Sequence, residues 1–324
     1  MSRHLRFQAQ DWTPHLVTAR CLRGFSLLTP SPRVNKLIAG VLAYSLSKHR
    51  GEIQLHSYVF MPNHFHLILS AYSSHSKARF MCHLMSNLAR ELCRVRPWGE
   101  RVWGNRYASH ALLDEEALIS AYQYIFKNCV KEGFVAHPRD WPGLHAWAPL
   151  CDGRVARGEW LDRTAWYFAK KTKRGASFTE AEFTQTLSVE LTRPALWEGW
   201  SEGRYANRCR EWTRVALEEV AAQRAAAVLA AGLVLAEEEP AVLGAEGVCA
   251  LEVFVERPSP RRPRPLCRAG CPVRFREHWA LYVAFREAFQ AASLRLRRAV
   301  LSQGCWVRVE FPQGGVPVFV GCGT

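Results

Sequence analysis

Gly51–Tyr72, GEIQLHSYVFMPNHFHLILSAY, reads as two apolar strands joined by a tight turn at Met61-Pro62-Asn63. The second strand carries His64 and His66 on either side of Phe65. Strand side chains alternate between faces, so the two imidazoles share one face and Phe65, Leu67 and Leu69 share the other. Two neutral imidazoles on a rigid strand can present nitrogens to one divalent cation. A bare His-x-His is common on half-exposed strands. Here the pair follows a Pro-Asn turn and runs into an apolar stretch that anchors the strand in a core.

The elements around this hairpin can be read in order. HLVTARCL, within Trp12–Leu22, is a strand with Arg20 near its end, after a polar and loose Met1–Asp11. A helix follows Pro30 and Pro32, from about Arg33 to His49. Beyond the hairpin, a second helix runs from Ser74 to about Val95, with Phe80, Leu84, Leu88 and Leu92 as its apolar stripe. Arg101–Leu113 is an extended piece returning to the sheet. Asp114 then caps a third helix, with Glu115 and Glu116 in its first turn where the helix dipole favours acids. This order implies an α+β fold: a ferredoxin-like antiparallel sheet with helices on one face.

In the third helix Leu118, Tyr122, Ile125 and Cys129 form the core stripe. Tyr124 lies about 160° from Tyr122 in helical phase, so Tyr122 packs inward and Tyr124 is free to reach something else. Asn128, one turn on, shares the face of Tyr124.

At 324 residues the chain is long enough for two domains, expected at 1–150 and 151–324. Lys plus Arg outnumber Asp plus Glu by 43 to 29, which suits a polyanionic partner such as nucleic acid or an acidic membrane surface. Residues 1–150 hold 18 of those cations and only 9 of the acids. Arg20, Arg79, Arg90, Arg94, Arg101 and Arg106 are candidates for phosphate contacts, and Trp98, Trp103 and Tyr107 for base stacking. Lys127, beside Asn128, is a further candidate, although its phase only partly faces the site. The 11 scattered cysteines form no repeated metal-ligand spacing, and Cys267 and Cys271 read as structural or unpaired thiols. Their odd number and the absence of a secretory leader point to the cytoplasm, with nucleoid association when bound to DNA. No apolar run approaches the roughly 20 residues of a spanning helix.

Past Pro149, CDGRVARGEW reads as a polar linker, followed by short mixed elements over 160–202. A long alanine-rich helix spans Tyr205–Ala236 and EEEPAVLGAEG breaks it. Arg257–Pro265, RPSPRRPRP, is an extended basic arm suited to recognising a DNA end. A helix from about Phe275 to Val300 places Trp279, Tyr282, Phe289 and Leu296 inward, and a hairpin of Trp306–Phe311 and Val316–Val320 closes the chain. The C-terminal region is thus mainly helical.

Two segments carry a family resemblance. SYVFMPNHFHLIL (57–69) and ALISAYQYIFKNCVKEGFV (117–135) resemble the signature regions of the single-tyrosine HUH transposases, and most closely the REP-associated tyrosine transposases and their insertion-sequence relatives. VWGNRYASHALLDEEAL before the tyrosine helix and HPRDWPG after it add to the likeness, which covers roughly Trp12–Trp147. Cys129 follows Asn128 where the family usually has Asn-Pro-Val, and Gly143-Leu144-His145 stand where serines usually follow the Trp-Pro pair. The resemblance implies that His64, His66 and Asn128 hold one Mg²⁺ or Mn²⁺, and that Tyr124 is the nucleophile. It would cleave and rejoin single-stranded DNA, with hairpin or palindromic ends, through a 5′-phosphotyrosine. The donor set alone would also suit zinc. A monomer or homodimer is expected. Two other readings share the residues: a DNA binder or repressor of the same fold without turnover, and a phosphohydrolase that uses water as its nucleophile.

Overall fold

The computed structural model describes residues 7–172, 178–230, 267–301, 307–311 and 315–320. Its centre is a five-stranded sheet in the order β2-β3-β1-β4-β7. The strands are β1 (Pro14–Arg20), β2 (Ile53–Met61), β3 (His64–Ala71), β4 (Ala108–Leu112) and the two-residue β7 (Cys267–Arg268). All pairings are antiparallel except β4 with β7. The register sets Thr18 opposite His66 and Arg20 opposite His64, so these four side chains share one face.

The helix starts follow local chemistry. Ser31 caps α1 (Pro32–Lys48) by accepting from the Val34 N–H at 3.2 Å, with proline at the first helical position. Ser73 caps α2 (Ser74–Val95), and Asp114 caps α3 (Glu115–Lys131) by accepting from the Ala117 N–H at 2.9 Å.

The α+β class and the antiparallel sheet are as expected, but the helices do not share one face. Phe65 meets Trp103, whose indole N–H donates to the Met85 carbonyl, so α2 covers the Phe65 face. α3 covers the histidine face, where the Tyr124 ring packs against His66. Alternation along β3 separates two faces but does not reveal which helix takes which. That depends on the crossover.

The expected boundary near residue 150 is bridged by packing. Val59 pairs with His145, so Leu144–Ala146 extends the sheet beyond β2. Short α4 (Trp147–Asp152) leads to β5 (Arg157–Leu161), α5 (Arg163–Thr172) and β6 (Thr184–Ser188). The stretch expected as a linker therefore contains all of β5 but its last residue, and β5 pairs with β6 and lies on α1. Gly40 and Gly158 make that contact: a Cβ on Gly158 would stand 2.0 Å from the Gly40 nitrogen. Trp160 stacks on Tyr44 with centroids 3.9 Å apart.

On the other side, α6 (Glu202–Ala230) packs on α3. The Tyr122 hydroxyl, fully buried, donates to the His56 carbonyl at 3.2 Å and meets the Tyr205 hydroxyl at 2.7 Å. Tyr122 is thus the packing tyrosine, as its phase implied.

α7 (Pro272–Leu301) is ringed by aromatic contacts with Phe7, which stands 5.2 Å from His278 and 5.9 Å from Tyr282. Phe7 and the buried Gln8, bonded to the Ala71 carbonyl, correct the expectation of a loose Met1–Asp11 for its last residues. Tyr282 is inward, but Trp279 is 41 % exposed because the ring cluster occupies the neighbouring phase. β8 (Val307–Phe311) and β9 (Gly315–Val320) form the closing hairpin. The basic arm Arg257–Pro265, the breaking segment after Ala236 and the side chain of Leu296 lie outside the described residues. Among the described residues no helix is long and apolar enough to cross a membrane.

Candidate active site

His64 and His66 project from β3 with ring centroids 4.9 Å apart and planes at 78°. Both are buried between β3 and α3. The Asn63 side-chain oxygen lies 2.6 Å from His64 Nδ1. A carbonyl oxygen only accepts, so Nδ1 carries the proton and Nε2 keeps its lone pair. Thr18 Oγ1 lies 2.7 Å from His66 Nδ1 and fixes that ring in the same way when Nδ1–H donates to it. Each imidazole is thereby oriented through its far nitrogen.

Burial, then the nearby Arg20 charge, pushes His64 down to about 4. Burial, then His64 itself, holds His66 well below the usual histidine range. Both rings are neutral at neutral pH, the form in which imidazole ligates a metal.

The Tyr124 hydroxyl sits 3.3 Å from His66 Nε2, its ring edge-on to the imidazole with centroids 4.9 Å apart. Burial raises its phenol, while Arg20 and Arg268 pull it back. The Arg268 guanidinium stands 5.8 Å from the Tyr124 ring centroid. Asn128 is buried one turn along α3. Its amide lies close enough to favour the charged forms of both His64 and Tyr124. Its Oδ1, however, makes no hydrogen bond of acceptable geometry and is shielded from solvent. An orphaned buried oxygen is costly unless something else fills its lone pairs.

His64, His66, Asn128 and Tyr124 are therefore brought together. Among the described residues no cluster of three or more His, Cys, Asp or Glu could hold a metal, and the unpaired Asn128 oxygen is available as an oxygen donor beside the imidazoles. Two imidazole nitrogens and an amide oxygen are a donor set that could hold one divalent ion.

The other nominated residues are more dispersed. Arg20 is exposed at the end of β1 on the histidine face and forms no salt bridge among the described residues. Arg106 is exposed in the segment before β4. Lys127 is turned away into an ion pair with Glu219 of α6. Arg79 pairs with Glu52, Arg94 pairs with Glu91, and Arg90 donates to the Asn87 side chain, all from α2 on the opposite side of the sheet. Trp98 packs edge-on against Phe25 and Trp103 against Phe65, so both serve packing. Thr18, Asn63 and Arg268 belong to the site and were not nominated. Thr18 follows only from the β1–β3 register, and Arg268 arrives on a strand of two residues.

No family model matches the chain, and no curated protein does. Among solved structures, the fold is similar to that of a REP-associated tyrosine transposase bound to a REP hairpin, at 19 % identity and a TM-score of 0.38, over 48 % of this chain and 87 % of that one. It is also similar to a Deinococcus radiodurans protein assigned as a transposase, at 19 % identity and a TM-score of 0.28, over 39 % of this chain and 95 % of that one.

Proposed function

We propose that this chain is a single-strand DNA nuclease and strand transferase of the single-tyrosine HUH type, acting in transposition. The observation that supports it is the placement of the Tyr124 hydroxyl 3.3 Å from His66 Nε2, on the face shared by His64 and the unpaired Asn128 oxygen.

In this reading His64 Nε2, His66 Nε2 and Asn128 Oδ1 would hold one divalent cation, which when bound would neutralise phosphate charge and polarise the scissile bond. Imidazole ligands match Mn²⁺ better than Mg²⁺, which prefers an all-oxygen shell. Thr18 and Asn63 orient the rings. Arg20 and Arg268 draw in the phosphate and lower the phenol toward ionisation. Tyr124 Oη bonds to phosphorus and loses its proton to water as the P–O3′ bond breaks. The departing 3′ oxygen takes up a proton. One phosphodiester replaces another, so the bond energy is conserved in the phosphotyrosine and the step reverses onto a different 3′-hydroxyl.

The test incubates the protein and Mn²⁺ with 5′- or 3′-labelled single-stranded hairpins. The fragment 3′ of the cut should survive boiling in detergent on the protein, and Tyr124→Phe should abolish this. Label released by wild type without any attached intermediate would favour water as the nucleophile and refute the proposal.

A further inference from the structure

We propose that α5 and the adjoining face of α2 form a second nucleic-acid surface, one that stacks single-stranded bases on the side of the sheet away from the histidines. α5 contributes no buried residue to the fold. It carries three consecutive aromatics, Trp166, Tyr167 and Phe168, then Lys170 and Lys171. Tyr167 is 60 % and Phe168 56 % exposed, with their ring centroids 5.6 Å apart at 72°. Lys170 Nζ lies 3.9 Å from the Trp166 ring centroid, a cation–π contact that holds the charge beside the aromatic run.

The helix is fastened rather than loose. Asp162 caps it by accepting from the Ala165 N–H at 2.9 Å. Arg163 grips Glu91 of α2 with two parallel hydrogen bonds of 3.0 and 2.8 Å. That clamp places α5 beside the two arginines flanking Glu91, Arg90 and Arg94. Glu91 is already shared by Arg94 and Arg163, and the neighbouring Glu180 acts on Arg163. Lys170, Lys171 and Arg90 have no acidic partner in a salt bridge among the described residues.

Exposed aromatics set among cations are the elements with which proteins bind single strands: rings for the bases, ammonium and guanidinium groups for the backbone. An anionic membrane fits less well. Tyr167 and Phe168 are about 100° apart on the helix, so they do not form one insertion face, and the basic patch continues onto a second helix.

The experiment uses the full chain carrying Tyr124→Phe, so binding is read without cleavage and does not depend on the proposed reaction. Fluorescence anisotropy with a labelled 20-nucleotide oligothymidylate reports affinity across a salt series. Y167A/F168A should weaken binding about 10-fold or more. K170A/K171A should lower the slope of log K against log salt by about 1.4, or ~0.7 for each phosphate no longer neutralised. Both pairs should leave the fold intact, read as a cooperative thermal transition, because these side chains are exposed. Unchanged affinity in Y167A/F168A would overturn the inference. So would a loss confined to vesicles of phosphatidylserine and phosphatidylcholine.

Discussion

Thr18→Val replaces a hydroxyl by a methyl group of nearly the same volume, so it removes the 2.7 Å contact to His66 Nδ1 and little else. His66 is only 3 % exposed, and water cannot readily replace the missing acceptor. An unpaired buried N–H costs about 1–3 kcal/mol. The ring can avoid part of that cost by moving its proton to Nε2. That nitrogen would then have no lone pair for a cation, and it would meet the Tyr124 hydroxyl as a donor. Loss of such an orienting partner costs about 10–100-fold in metal affinity, or ~1.4–2.7 kcal/mol. Titrating Mn²⁺ against wild type, T18V and T18S, with free Mn²⁺ followed by electron paramagnetic resonance, tests this directly. T18V should bind 10–100-fold more weakly, and T18S should stay close to wild type. If T18V kept its affinity while urea unfolding showed the expected loss of stability, the hydroxyl would be a packing partner only.

Three further outcomes follow. Gly158→Ala sets a methyl group 2.0 Å from the Gly40 backbone, so α1 and β5 must separate. The urea midpoint should fall by the equivalent of at least ~2 kcal/mol, and a midpoint within error of wild type would show that β5 does not pack against α1. Burial lowers His56 to about 4 and His145 to about 3, both away from the proposed catalytic residues. Between those values and about 6.5 the unfolded chain binds the extra protons, so stability is intact above that pH and is lost as pH falls. From pH 8 to pH 5 the two together should cost about 4 kcal/mol, read as a drop in urea midpoint, and a flat profile would contradict their burial. Tyr122→Phe removes the hydroxyl shared by the His56 carbonyl and Tyr205, and should destabilise by ~1–3 kcal/mol without preventing DNA attachment by the folded fraction.

The meeting of His64, His66, Tyr124 and Asn128, the proposed catalytic group, was legible because it rests on two short-range periodicities. Two-residue alternation places His64 beside His66, and helical phase separates Tyr124 from Tyr122 and aligns it with Asn128. What could not be read depends on pairing at a distance. Thr18 meets His66 only through the strand register, and Arg268 comes from a strand too short to carry a pattern. The α2 arginines are equivalent to Arg20 in sequence because alternation does not say which side of the sheet a helix crosses to. β5 was hidden by its composition. Its glycine is there for the close crossing with Gly40, and its exposed residues are polar, so a strand packed on α1 reads as a linker.

The most direct measurement digests the detergent-stable protein–DNA adduct with nuclease and trypsin and locates the modification by mass spectrometry. The peptide Tyr107–Lys127 contains Tyr107, Tyr122 and Tyr124, and its fragment ions separate the three. A nucleotide phosphodiester is expected on Tyr124 alone. A nucleotide on Tyr107 or Tyr122, or no adduct from a protein that still cuts its substrate, would contradict it.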